Sequence, residues 1–118
     1  MGVSRTTLGS VTVLGAIGDF TGGDETDRLR DVILGEAAAG NLLLILDLAS
    51  CSMMNSSGMS VLVEAYRNYA GRGGEIRLCG LQPRMVHQLS TVRLIGLIGH
   101  DDTVDDAVAA FDRRTAGT

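Results

Sequence analysis

One stretch constrains the fold of this chain more than any other. Leu42-Leu43-Leu44-Ile45-Leu46-Asp47-Leu48 is almost uninterrupted apolar sequence, bounded by Gly40-Asn41 before it and Ala49-Ser50 after it. So short a run, with turn formers at both ends, predicts a central strand covered on both faces, the pattern of a parallel sheet. Periodicity alone would equally admit a turn of buried helix; length and flanks favour the strand.

The segments on either side fit that frame. Val11 to Ile17 alternates and then turns apolar, predicting a strand, with a shorter one near Ser4 to Leu8 paired to it across Gly9-Ser10. After a loop from Gly18 to Gly23, Asp24 or Thr26 can cap a helix whose Leu29, Val32, Ile33 and Ala37 share one face, ended by Gly40-Asn41. A polar, small-residue stretch from Ser50 to Gly58 precedes a helix carrying Met59, Leu62, Val63, Tyr66 and Tyr69-Ala70, stopped by Gly71-Arg72-Gly73-Gly74. Glu75 to Cys79 alternates as a strand. Pro83 suits a helix first turn, with Met85, Leu89 and Val92 continuing its face. A short final strand is expected between Ile95 and Ile98. Thr103 then caps a last helix that turns Val104, Ala107, Val108 and Phe111 inward, with Asp105 and Asp106 in its first turn and Arg113-Arg114 near its end, matching the helix dipole.

The expected order is β-β-α-β-α-β-α-β-α: an α/β domain whose mixed, largely parallel sheet has about five strands, with the first an antiparallel edge, packed with about four helices. A length of 118 residues suits one domain with one core over about residues 8 to 112, and neither repeats nor a linker interrupt it. With no Trp, two Phe and two Tyr, that core must be aliphatic, and sixteen Gly against one Pro suggest many tight connections.

Charge and composition narrow the function. A net charge of −4 with scattered arginines argues against nucleic-acid binding. No segment approaches the ~18 consecutive apolar residues of a membrane span, and the N-terminus lacks the basic and apolar regions of a secretion signal. A cytoplasmic location is therefore expected. Met1-Gly2-Val3-Ser4-Arg5-Thr6 fits the myristoylation pattern only formally. Cys51 and Cys79 lack CxxC spacing and read as buried reduced thiols. Neither GxGxxG, GxxxxGK[ST] nor GxSxG occurs. Cys51 with His87 could be imagined as nucleophile and base, and His87, His100 and Asp101-Asp102 as metal ligands, but no spacing groups either set. No enzyme chemistry, cofactor or metal is expected.

The informative junction joins strand Leu42–Leu48 to the helix that follows. Partner and ligand surfaces of open α/β sheets gather at strand carboxyl ends and the next helix N-termini, and Asn55-Ser56-Ser57-Gly58 lies there. Alone, these four residues read as a helix cap, and Asn55-Ser56-Ser57 as a glycosylation pattern useless to a cytoplasmic chain. In context they carry more. The run from Leu44 through Asp47, Met54-Asn55-Ser56-Ser57-Gly58-Met59 and Leu62 resembles the signature of STAS domains (sulphate transporter and anti-sigma-factor antagonist). The resemblance continues through Gly73 to Gly80, Pro83 to Val86 and Asp102 to Ala107, covering residues 8 to 112 in order.

The resemblance implies a non-enzymatic regulatory protein of the anti-sigma-factor antagonist branch. Such proteins bind an anti-sigma factor that is itself a serine kinase, are switched off by phosphorylation, and are restored by a serine phosphatase. The implied phosphoacceptor is Ser56, with Ser57 as runner-up. The implied partner surface comprises Asn55, Ser56, Ser57, Gly58, Met59, Ser60 and Val63, with Asp19 and Thr21 from the loop Gly18–Asp24. Neither nucleic acid nor a membrane is an expected partner, and the chain is expected to be a monomer or weak homodimer. Met53, Met54 and Met59 read as core, or as thioethers adapting a docking surface. Two departures stand out. Asn55 replaces the family's Asp, keeping shape and capping while removing a charge. Arg93 stands before Leu94 where the family usually has Gly, predicting an altered turn after the third helix. The alternative is a phosphorylation-independent scaffold or constitutive antagonist.

Overall fold

In a computed structural model, the backbone of residues 2–116 and the side chains of residues 2–112 are described. A five-stranded sheet runs in the order β1 (Gly2–Leu8), β2 (Val11–Ile17), β3 (Leu43–Asp47), β4 (Glu75–Cys79), β5 (Gly99–Asp101). Only the β1–β2 pair is antiparallel; every other neighbour is parallel. The helices are α1 (Asp24–Ala38), α2 (Ser56–Gly71), α3 (Pro83–Thr91) and α4 (Val104–Ala116).

The Leu42–Leu48 run is the central strand. Leu44 and Leu46 point into a core built with Leu14, Leu29, Ile33, Leu62, Tyr69 and Met85, which puts α1, α2 and α3 on one face. Ile45 points the other way, against Val11, Val13, Cys79 and the Ala107 and Phe111 side chains of α4. Leu44, Ile45 and Leu46 are all fully buried, and each contributes about 1.5–3 kcal/mol by leaving water.

Local signals set most helix ends. Gly40 and Gly73 both take left-handed backbone, at φ 89° and 78°. At the first, Gly40 N–H donates to Ala37 and Asn41 N–H to Glu36; at the second, Gly73 N–H donates to Ala70 and Gly74 N–H to Tyr69. Those are paired bonds that close the last turn on a glycine. Thr103 Oγ1 accepts the Asp106 amide at 3.1 Å, capping α4 as expected. The Arg113-Arg114 pair lies outside the described side chains.

Several expectations need correction. β1 begins at Gly2, because its whole length pairs with β2 down to Ile17. α1 is capped by Gly23, and Thr26 Oγ1 instead accepts the Gly22 amide at 2.8 Å, folding the entering loop. α2 begins at Ser56, ahead of its first apolar residue. Residues 95–98 are not a strand: Leu94–Gly96 is a 3₁₀ turn that buries Leu94 and Ile98, and β5 follows at Gly99. Val92 does not continue the buried face of α3. It ends the helix and is 50% exposed.

Arg93 itself sits in the turn after α3 with left-handed backbone, φ 64°, a conformation that costs a non-glycine residue about 1–2 kcal/mol. Arg93→Gly is expected to stabilise the fold by about 1 kcal/mol, seen as a higher thermal midpoint and an unchanged denaturant m-value.

Two buried groups make stability alkaline-sensitive. Burial, with help from the Glu36 carboxylate, pushes the Tyr69 phenol up to about 12. Burial, then the Asp47 and Asp101 carboxylates, pushes the Cys79 thiol up to about 12. In the unfolded chain these groups ionise at about 10 and 8.5. Their stabilisation is whole below those values and lost as pH rises through the raised folded ones. The thermal midpoint is therefore expected to fall from about pH 9 upward, and less steeply in Cys79→Ala.

Candidate functional site

The carboxyl ends of β2 and β3 continue as two loops that run side by side. Gly18 N–H donates to Ser50 at 3.0 Å, Phe20 N–H to Met53 at 3.1 Å, and Asn55 N–H back to Phe20 at 3.3 Å. Ser52 Oγ donates to Asp19 at 2.6 Å. Phe20 and Met54 form a parallel bridge, and both side chains are buried. Met54 is thus core; Met53 and Met59 are half-buried.

This pairing carries α2 hard against the β2–α1 loop. A Cβ added at Gly58 would lie 2.5 Å from the Phe20 carbonyl oxygen, so the position admits no side chain without moving backbone. Asn55 fastens the same joint. Its Oδ1 accepts the Ser57 amide at 2.9 Å and the Gly58 amide at 3.3 Å, capping the helix. Its Nδ2 donates to the Thr21 carbonyl at 2.7 Å. A carboxylate could perform the first role and not the second, because it has no N–H.

The two serines diverge from this cap. Ser57 is exposed but sits beside Gly22 of the loop. Ser56 opens α2, also exposed, and its carbonyl accepts the Ser60 hydroxyl at 2.8 Å. Ser56, Met59, Ser60 and Val63 form one wall of a groove of about 320 Å³, closed on the other side by Val92 and Leu94. The expected residues therefore come together: Asn55 to Ser60 and Val63 on α2, with exposed Asp19 and the Thr21 carbonyl beside them.

The sequence pattern missed three contributors. Phe20 gave no sign of clamping Gly58 through its carbonyl. Val92 was expected to face the core, and Leu94 was assigned no site at all. Phe20 could have been flagged as the lone aromatic in a glycine-rich loop.

The competing constellations are not assembled. Cys51 is fully buried, its thiol donates to the Met53 carbonyl at 3.6 Å, and burial raises its pKa, the opposite of an activated nucleophile. His87 is exposed on α3. Asp101 is held by Arg77 at 2.7 Å. Among the described residues, no three His, Cys, Asp or Glu side chains are grouped to hold a metal, and no helix is long and apolar enough to cross a membrane.

The STAS domain family model matches residues 5–107. A search of curated proteins finds no match. Among solved structures, the chain is similar to a Thermotoga maritima protein assigned as an anti-sigma factor antagonist, at 16% identity and TM-score 0.86, with 92% of each chain covered. An anti-sigma factor antagonist from Mycobacterium paratuberculosis is 20% identical, with TM-score 0.80 over 92% of this chain and 91% of that one. The Bacillus SpoIIAA protein aligns in its unphosphorylated form at 19% identity and TM-score 0.70, over 97% of this chain and 98% of that one. Its phosphorylated form aligns at 17% and 0.73, over 93% and 99%. At such identities the likeness establishes the fold.

Asn55→Ala is expected to cost about 1–2 kcal/mol, from the lost cap and the lost bond to Thr21. Asn55→Asp keeps the cap and should leave global stability nearly unchanged. Amide exchange across residues 18–24 is expected to quicken in both variants, since both release the Thr21 carbonyl.

Proposed function

The chain belongs to the STAS domain family, and on that premise we propose that it is an anti-sigma-factor antagonist switched by phosphorylation of Ser56. In its unmodified form it binds an anti-sigma factor that is also its serine kinase, and thereby frees a sigma factor. A serine phosphatase resets it. The protein acts in the cytoplasm as a binding module without catalysis, in keeping with the regulatory, non-enzymatic character of antagonists of this family.

One observation carries the reading: Ser56 is exposed as the first residue of α2 and lines an apolar groove. Its position at a helix N-terminus is where the aligned amides and the helix dipole favour an anion. A phosphate there, worth about −1.5 to −2 charges, leaves the fold intact. In a partner packed over Met59 and Val63, the same charge must be desolvated or placed beside like charge, at a penalty of several kcal/mol. Each ~1.4 kcal/mol is tenfold in affinity. Stable fold and failed docking together make a reversible switch. SpoIIAA, a structural neighbour solved both with and without phosphorylation, supports a fold that tolerates such modification.

Ser56 is the acceptor in preference to Ser57 because of its surroundings. The Ser57 side chain abuts Gly22, so a phosphate there would push on the β2–α1 loop. A phosphate on Ser56 projects over the groove.

Incubation with the cognate serine kinase and ATP, followed by mass spectrometry, is expected to place one phosphate on Ser56. Ser56→Asp is expected to weaken binding to the anti-sigma factor at least tenfold. Stoichiometric modification elsewhere, or none, would sink the switch. Undiminished binding by Ser56→Asp would favour the constitutive scaffold.

A further inference from the structure

We infer that the groove between α2 and the α3–3₁₀ turn docks a partner segment carrying an apolar anchor flanked by acidic side chains. The inference rests on the antagonist reading, and extends it from the site of the switch to the chemistry of what is switched.

The apolar part is set by the groove itself. Met59 and Val63 are half-buried, Leu94 forms the floor at 6% exposure, and Val92 stands at 50%. A helix C-terminus could have turned Val92 inward; here it is left in water at the rim of a cleft that already contains apolar side chains. One inserted aliphatic or aromatic residue would cover all four.

The acidic part follows from how charge is distributed. The chain carries a net −4, yet residues 80–99 contain no Asp or Glu while holding Arg84 and Arg93. Arg93 lies between the two groove residues Val92 and Leu94. Arg67 lies one helical turn beyond Val63 on the same stripe of α2 and is exposed. Of the arginines elsewhere, Arg5, Arg30 and Arg77 are engaged by Glu36, Glu64, Glu75 and Asp101, whereas Arg72 bonds the Asn68 amide and Arg28 lies in a separate cleft beside Phe20 and Asp24. Among the described residues, Arg67, Arg84 and Arg93 make no ion pair. Glu64, the acidic residue of α2 itself, is taken by Arg30 through two bonds of 2.7 and 2.9 Å. Arg93, between two lining residues, and Arg67, a turn beyond a third, thus put positive charge without an ion-pair partner next to the groove along the chain, the complement of a carboxylate-bearing partner.

Arg93 strengthens the case by its conformation. It is the one non-glycine residue with left-handed φ among those described. Strain held where a glycine would relieve it points to use of the side chain. The arrangement also explains the sign of the switch, since a phosphate on Ser56 enters the same rim and confronts the partner's carboxylates.

The test uses the whole chain and two synthetic amphipathic helices with an identical leucine face, one flanked by Glu and one by Lys. Binding is followed by amide chemical-shift changes. The Glu-flanked peptide is expected to shift Val63, Val92 and Leu94, with an affinity that falls as salt is raised. Val92→Asp should abolish the shifts and Arg93→Gly should weaken binding about fivefold, although the latter variant is the more stable protein. Equal binding of the Lys-flanked peptide, shifts confined to other faces, or uptake by anionic phospholipid vesicles without peptide binding would each overturn the inference. The two readings fail separately. An anti-sigma factor that rejects Ser56→Asp but ignores Val92→Asp and Arg93→Gly removes the groove and leaves the antagonist. The expected peptide results, with no anti-sigma factor or kinase acting on the chain, remove the antagonist and leave the groove.

Discussion

Burying β3 on both faces obliges the chain to supply helices on both sides of the sheet. Leu44 and Leu46 demand α1, α2 and α3, and Ile45 demands α4. Because β2, β3 and β4 run parallel, each helix must return along the sheet, and the strand carboxyl ends all open toward the same edge. The loops leaving β2 and β3 therefore meet. Their backbone bonds, the Gly58 approach and the Asn55 staple are consequences of that meeting, and the groove begins where it ends. A leucine lost from β3 would be felt at the site without touching it.

The strand, the face of α1, the cap of α4 and the capping of α2 by Asn55 could all be read from residues, since each rests on local spacing or on one capping side chain. What escaped depends on groups without a one-dimensional trace. The Thr21 and Phe20 carbonyls are backbone, so nothing in the residue types announces that Asn55 donates to one and Gly58 crowds the other. The Arg5–Glu36 pair spans 31 positions. The region after α3 misled for a different reason: Leu94, Ile95, Leu97 and Ile98 are apolar enough for a strand, but a 3₁₀ turn buries Leu94 and Ile98 while leaving Leu97 at 44% exposure. Val92 fits a helical stripe that had already ended one residue earlier.

Two positions where the chain departs from its family's pattern turn out to sit on the two rims of the site. Asn55 gives the amide donor that ties the β2–α1 loop to α2. Arg93 holds a costly conformation beside the groove. Asn55 tightens the joint between loop and helix, whereas at Arg93, under the proposed docking, stability and recognition pull in opposite directions.

The cap that orders Ser56 also governs how any enzyme must approach it. The serine is wound into a helical turn, with its own carbonyl bound by the Ser60 hydroxyl and its neighbours' amides held by Asn55. It is presented as part of a solid surface assembled from two loops and two helices, not as a strip of extended peptide. Under the proposed switch, recognition is therefore of shape, and a short peptide copying Asn55–Gly58 lacks what is recognised. Modification then doubles as proof-reading: only copies that have completed folding carry the mark, and nascent or misfolded chains stay outside the regulatory circuit.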